Sequence, residues 1–251
     1  MRVIFAGGKN VGCGCLEYLL LDREVDLVAV FVNPKSDTAA NRWYPSAAEI
    51  AMVHGIPVFS PPSINAPKSK EQIRALNPDL LVVVYYDQIL KRDVIGIPKR
   101  GCINLHMALA EEYRGCYPTT WAIINGEKRT GVTLHYIDEG VDSGDIIAQR
   151  EVPIDASDTG IDLYEKCTQN AIGLFRETFP LIETGMAPRR RQVSTEQTKY
   201  YRREFPSRKI DFGKSGADIY NHIRALTFPP FPPPYFYIGE KKMIIVEEVE
   251  P

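Results

Sequence analysis

The chain is short of almost every extreme feature, and each shortage removes a class of explanation. None of its apolar runs exceeds the length of a strand, far below the roughly 20 residues that a bilayer demands. Neither sign of charge prevails. Thirty Lys and Arg stand against 32 Asp and Glu, a net of −2, so no global field recruits nucleic acid or an anionic membrane. Histidine is scarce, four in 251 residues, and no second His approaches His106 at ligand spacing, which speaks against a metal centre. The five cysteines, at 13, 15, 102, 116 and 167, form an odd set, and Cys13-Gly-Cys15 lacks the second pair of a zinc site. They read as reduced thiols of a cytoplasmic protein. The opening "MRVIFAGG" reads as a strand from the start, so no signal peptide is expected. There is no internal repeat.

What is present is an alternation. "RVIFAGG", "VDLVAVFVN", "IPVFSP", "PDLLVVVYY" and "GCINLH" read as strands. "NVGCGCLEYLLLDR", "YPSAAEIAMVHG" and "SKEQIRALN" read as the helices between them. Strands apolar without period-2 relief predict an α/β fold, a doubly wound and mostly parallel Rossmann-like sheet covered on both faces. Ligands of such sheets sit beyond the carboxyl ends of the strands. "RTGVTLHYID" and "DIIAQREVPI" continue as strands, and residues 160–185 as a long helix closed by Gly185. A shift to basic, irregular sequence after that glycine suggests a catalytic domain over 1–185. Residues 186–251 would be a small α+β extension, with a helix "GADIYNHIRAL" and a hairpin about Gly239.

Three places invite chemistry. "GGKNVG" follows a strand and precedes a helix, as a phosphate-cradling loop does. Its spacing is not that of a dinucleotide fingerprint, and the second strand ends in Asn33 where a ribose would want an acid. Lys9 and Asn10 can reach a phosphate or a substrate hydroxyl, or the loop is a plain tight turn. Asn104 and His106, two apart on a strand, share a face at its carboxyl end. An amide beside an imidazolium offers two donors to one oxyanion, and the acid-rich loop "EGVDSGD" can supply a carboxylate to orient the ring. Cys102 lies deeper on the same face and reads as packing, and His135, in mid-strand, as a core histidine. No serine or cysteine sits in a nucleophile-elbow motif.

The segment 103–149 carries Asn-x-His, Tyr-Arg-Gly, Trp-x-Ile-x-Asn-Gly-Glu, Thr-Gly-Val-Thr-Leu-His and an Asp-Ser-Gly-Asp-Ile ending, in register. It closely resembles the signature region of the folate-dependent formyltransferases. The resemblance implies a catalytic trio of Asn104, His106 and Asp142, in which the chemistry of the groups would have Asp142 orient His106 and keep its pKa high enough to serve. It implies 10-formyltetrahydrofolate as donor and no metal. It also implies a pterin site built from Tyr86, Gln88, Ile89 and Leu90 with the loop Ile137–Asp142, Asp138 included.

Within that family the C-terminal stretch resembles the auxiliary segment of sugar-nucleotide N-formyltransferases. These act on amino-dideoxy sugars such as GDP- or dTDP-4-amino-4,6-dideoxyhexoses, for surface polysaccharide such as the O-antigen of lipopolysaccharide. Arg224, Phe228, Phe231 and Tyr235 then either flank the nucleotide, a ring stacking on its base, or pack the tail onto the core. Lys9, Asn10 and Arg114 are the acceptor-side candidates, and a homodimer with no nucleic-acid or membrane partner is expected. The rival acceptor is methionyl-tRNA, whose formyltransferases usually carry a larger basic second domain. The basic clusters Arg189–Arg191 and Lys199–Arg203 are short and read as solvated. A binding module without turnover is the rival from outside enzymology. The chain departs from the commonest family pattern after His106 (Met-Ala-Leu-Ala-Glu) and after Tyr-Arg-Gly (Cys-Tyr-Pro), both near where the acceptor would lie.

Overall fold

Residues of β1 (Arg2–Gly7) alternate between two cores: Val3 and Phe5 face one, Ile4 and Ala6 the other. A strand with both faces buried needs no polar side, which explains the unbroken apolar runs. The computed structural model describes residues 1–34, 43–193, 198–201 and 205–245. In it β1, β2 (Asp26–Phe31), β3 (Val58–Phe59), β4 (Leu80–Val84) and β5 (Cys102–His106) run parallel, whereas β7 (Arg129–Tyr136) and β8 (Ile146–Pro153) continue the sheet antiparallel. The order is β3-β2-β1-β4-β5-β7-β8, the mixed, mostly parallel α/β sheet expected.

Helices α1 (Lys9–Leu21), α2 (Ala47–Val53) and α6 (Gly160–Glu183) cover one face, where Leu16, Phe175 and Phe179 are fully enclosed. Helices α3 (Pro67–Ala75) and α4 (Arg92–Ile95) cover the other, over Phe31, Ile73 and Leu81. The start of α6 is fixed by a reciprocal capping box between Thr159 and Asp162, and the chain leaves its end through Gly185 at φ 74°.

Beyond the sheet, β6 (Tyr113–Gly115) pairs in parallel with β9 (Lys199–Tyr201), and β10 (Tyr235–Ile238) with β11 (Lys241–Ile244) forms the hairpin about Gly239. Helix α7 (Gly216–Leu226) packs on α5 (Pro118–Ile124), a short helix that the sequence reading left unassigned. Arg224 is the clasp of α7. Its buried guanidinium donates to the carbonyls of Asp155 (3.1 Å) and Asp158 (2.7 Å) and to Asn221 Oδ1 (3.0 Å). Nε and Nη1 are thereby committed to the fold and Arg224 does not line the cavity described below, which corrects its candidacy for nucleotide contact.

Candidate active site

The carboxyl ends of β4 and β5 open into a cavity of about 740 Å³, within the size range of small-molecule sites. Two glycines shape its approaches. A Cβ on Gly7 would meet the Val84 carbonyl oxygen at 1.9 Å, so the ends of β1 and β4 close up only with glycine there. A Cβ on Gly144 would meet the Tyr136 carbonyl at the same 1.9 Å, which lets the loop after β7 fold back against its own strand.

The candidate trio meets in this cavity. Asp142, at φ 49°, sets Oδ2 against the Gly115 N–H (2.9 Å) and 3.6 Å from His106 Nδ1. Its Oδ1 accepts from Asn104 Nδ2 at 3.2 Å. Burial alone would raise the Asp142 carboxyl. His106, His135 and the Gly115 N–H outweigh it and hold the group well below the usual carboxylate range. For His106 the balance runs the other way. Burial lowers its pKa by more than Asp142 raises it, which corrects the expectation of a raised value. His106 Nε2 lies 3.0 Å from the Tyr113 carbonyl, a group that only accepts, so Nε2 carries the proton. The neutral ring therefore presents an unprotonated Nδ1 toward the carboxylate.

His135 belongs to this cluster. Antiparallel pairing sets it directly across from Asn104, with its Nε2 3.1 Å from Asn104 Nδ2 and 3.5 Å from Asp142 Oδ1. Its Nδ1 donates to the Tyr136 carbonyl at 2.8 Å. Its mid-strand position marked it correctly as buried but could not name its neighbour across the sheet. Asn104 thus spends both amide hydrogens inside the cluster.

The expected pterin loops also line the cavity, Tyr86, Gln88, Ile89 and Leu90 from the first and Ile137 and Asp138 from the second. The first is rigidly held. Asn33 bridges Tyr85 O and Asp87 N, Gln88 reaches back to Ile64 N and Pro61 O, and Asn65 clasps Ile89 O and Lys91 N. Gln88 therefore offers the cavity its backbone, its amide being committed behind it. Asn33 serves as a turn clamp at the point where a dinucleotide fold keeps its ribose acid.

Of the acceptor-side candidates, Lys9 lines the cavity, its Nζ 3.7 Å from the Tyr44 ring centre. Burial lowers its pKa against the raising effect of Asp87. Phe228 and Phe231 line it too, within an aromatic group that includes Trp43, Tyr44 and Tyr164. The pair Trp43-Tyr44, just ahead of the helix-capping Ser46, went unnoticed in the sequence. Asn10, Arg114 and Tyr235 do not line it. Arg114 turns away to Ala110 O (3.0 Å) and Gln192 Oε1 (2.7 Å), a correction to its assignment to the acceptor. Arg190 is half exposed but forms a two-bond pair with Glu111. Arg202 and Arg203 lie outside the described residues. Among the described residues no cluster of three or more His, Cys, Asp or Glu could hold a metal, and no helix is long and apolar enough to cross a membrane.

A family model described as "Formyl transferase" matches residues 1–178. The chain belongs to the formyl transferase family. A methionyl-tRNA formyltransferase of Clostridioides difficile is 35% identical over 237 residues, covering 94% of this chain and 76% of that relative. An N-formyltransferase of Helicobacter canadensis, solved with folinic acid and dTDP-3-aminofucose, superposes with TM-score 0.79 at 28% identity, over 97% of this chain and 86% of that one. A sugar 3-N-formyltransferase solved with dTDP and 5-N-formyl-THF gives 0.78 at 25% identity, over 97% and 85%. In this formyl transferase the segment 103–149 that carried the resemblance is the one that builds the Asn104–His106–Asp142 cluster.

Proposed function

We propose that this formyl transferase moves a formyl group from 10-formyltetrahydrofolate to the amine of a nucleotide-linked amino-dideoxy sugar. The observation that carries the transfer chemistry is the buried cluster of Asn104, neutral His106 and ionised Asp142 on the wall of a cavity of about 740 Å³. The unprotonated amine attacks the formyl carbon, and His106 Nδ1 accepts its proton. The imidazolium that results faces the Asp142 carboxylate, which neutralises it. Asn104 donates to the developing oxyanion. To do so it gives up one existing bond, and the one to the neutral His135 nitrogen is cheaper to exchange than the charge-assisted one to Asp142. As the adduct collapses the new C–N bond stays, the bond to folate N10 breaks, and N10 takes the proton from His106.

The sugar-nucleotide acceptor is supported by the wall chemistry. Aromatic Phe228, Phe231 and Tyr164 stand beside Lys9, and the lysines and arginines of the lining, among the described residues, are Lys9 and Arg208. That suits a base and a diphosphate better than a polyanionic backbone. The structural neighbours solved with dTDP or a dTDP-amino sugar support the same reading. Exposed Tyr237, Ile238, Met243 and Ile244 on the hairpin support pairing with a second copy. The second reading, formylation of methionyl-tRNA, is favoured by the 35% identical relative.

The decisive experiment supplies 10-formyltetrahydrofolate with dTDP- and GDP-linked 3- and 4-amino sugars and, separately, with charged initiator tRNA. Mass spectrometry should show one added formyl group on a nucleotide sugar. Formylation of the aminoacyl-tRNA alone overturns the acceptor assignment, and formylation of neither overturns the enzyme.

A further inference from the structure

Asp142 occupies left-handed backbone space at φ 49°, which costs a non-glycine residue about 1–2 kcal/mol and persists only where the surroundings dictate it. Its own loop supplies part of that constraint, through Asp138 Oδ1, which accepts from Gly140 N (3.0 Å) and Ser143 Oγ (2.7 Å). The rest comes from outside the signature region. Gln192, a buried side chain on the irregular segment after α6, donates one amide hydrogen to the Asp142 carbonyl (2.9 Å) and the other to the Gly144 carbonyl (2.7 Å). Its Oε1 accepts from Arg114 Nη2 at 2.7 Å. Two carbonyls on one side and a guanidinium on the other admit a single orientation of that amide.

Arg114 sits one residue before Gly115, whose N–H holds Asp142 Oδ2, and one after Tyr113, whose carbonyl holds His106 Nε2. One side chain thus ties together the two loops that carry the carboxylate and its partners. The segment bearing it is itself fastened. Arg190 exchanges backbone bonds with Ile146 (2.7 and 2.9 Å) and pairs with Glu111, which also accepts from Val193 N at 3.0 Å.

We propose that Gln192 is a positioning residue for the reaction: it fixes the backbone of Asp142 and, through Arg114, the strand that holds His106. This rests on the assignment of Asp142 and His106 to the transfer, and the tests separate the two claims. Gln192→Met keeps length and bulk but neither donates nor binds Arg114. Its kcat should fall about 10- to 100-fold, the scale of a small displacement at a reacting centre. KM for folate and for the acceptor should stay within about threefold, because neither substrate meets Gln192. NMR titration of the His106 imidazole, identified by its loss in His106→Asn, supplies a readout that needs no turnover. The midpoint should move in Gln192→Met as Asp142 loosens from the ring.

Arg114→Met, which leaves Gln192 in place, should lower kcat in the same way. The double variant should lose less than the product of the two single losses. Should Gln192→Met fail to fold, Arg114→Met carries the same measurements alone. A lower melting temperature with kcat and the His106 midpoint unchanged overturns the proposal and leaves Gln192 a fold residue. If the unsubstituted protein formylates neither acceptor, the functional assignment falls, while the His106 titration still decides whether Gln192 positions the cluster.

Discussion

In the proposed reaction His106 and Asp142 divide one task between them through the environments they sit in. The carboxylate stays charged because two imidazoles and a backbone N–H face it, and the imidazole stays neutral because burial outweighs that same carboxylate. A base that must be unprotonated to work gives an acid limb in kcat. Since burial lowers His106 from its ordinary value of about 6.5, that limb should lie below pH 6.5. In Asp142→Asn, which removes the raising influence, the limb of any residual activity should lie lower still. Asp142→Asn and His106→Asn should each reduce kcat by about 10²- to 10⁴-fold with nucleotide affinity nearly unchanged, measured by calorimetry. A parallel loss of affinity would contradict their place in the chemistry. The same direction of shift governs stability. Below about pH 6.5 the unfolded chain takes up a proton at His106 that the folded protein refuses, so the protein loses stability as pH falls from 7 toward 5. His106→Asn should lose less over that interval in thermal melts.

At the scale of elements, the loop after β7 depends on the close approach at Gly144, where the Tyr136 carbonyl leaves no space for a side chain. Gly144→Ala should push the loop off its strand and lower kcat at least tenfold, with a stability loss of about 1–3 kcal/mol by chemical denaturation. Arg224 makes the opposite case. Arg224→Ala orphans the Asp155 and Asp158 carbonyls and should cost about 1–3 kcal/mol, while nucleotide affinity per folded molecule holds. A selective loss of nucleotide binding would restore the role in recognition that the sequence suggested. These two positions mark where legibility ended. β1 and β4 were readable as unbroken apolar runs and α6 as a long helix closed by a glycine, all local signals, and Asn104 with His106 was readable because two residues on one strand share a face by geometry alone. His135 required knowing that β7 runs antiparallel beside β5, and Gln192 that residues 190–193 cross back over both loops. Short β6 and β9 carry too few residues for a period to show. Arg224 looked like a ligand because an arginine beside aromatics is ambiguous until its carbonyl partners are known.

For the molecule as a whole, binding linkage decides which partner the cavity selects without assuming turnover. A ligand at about 100 times its Kd stabilises the folded state by about 2.7 kcal/mol, which for a chain of this size is a shift of about 5–10 °C in melting temperature. One nucleoside diphosphate among dTDP, GDP, UDP and CDP should give such a shift through the aromatic wall of Phe228, Phe231 and Tyr164 beside Lys9. Folinic acid should add to it, because the loops proposed to hold it, Tyr86–Leu90 and Ile137–Asp142, are distinct from the residues of that wall. Phe228→Ala should abolish the nucleotide shift and leave the folinic acid shift in place. With a balanced charge of −2, the protein should bind tRNA only weakly, and that binding should vanish as salt rises toward physiological strength. Tight tRNA binding that survives such salt, together with no response to any nucleoside diphosphate, would reassign the wall to packing and the acceptor to RNA.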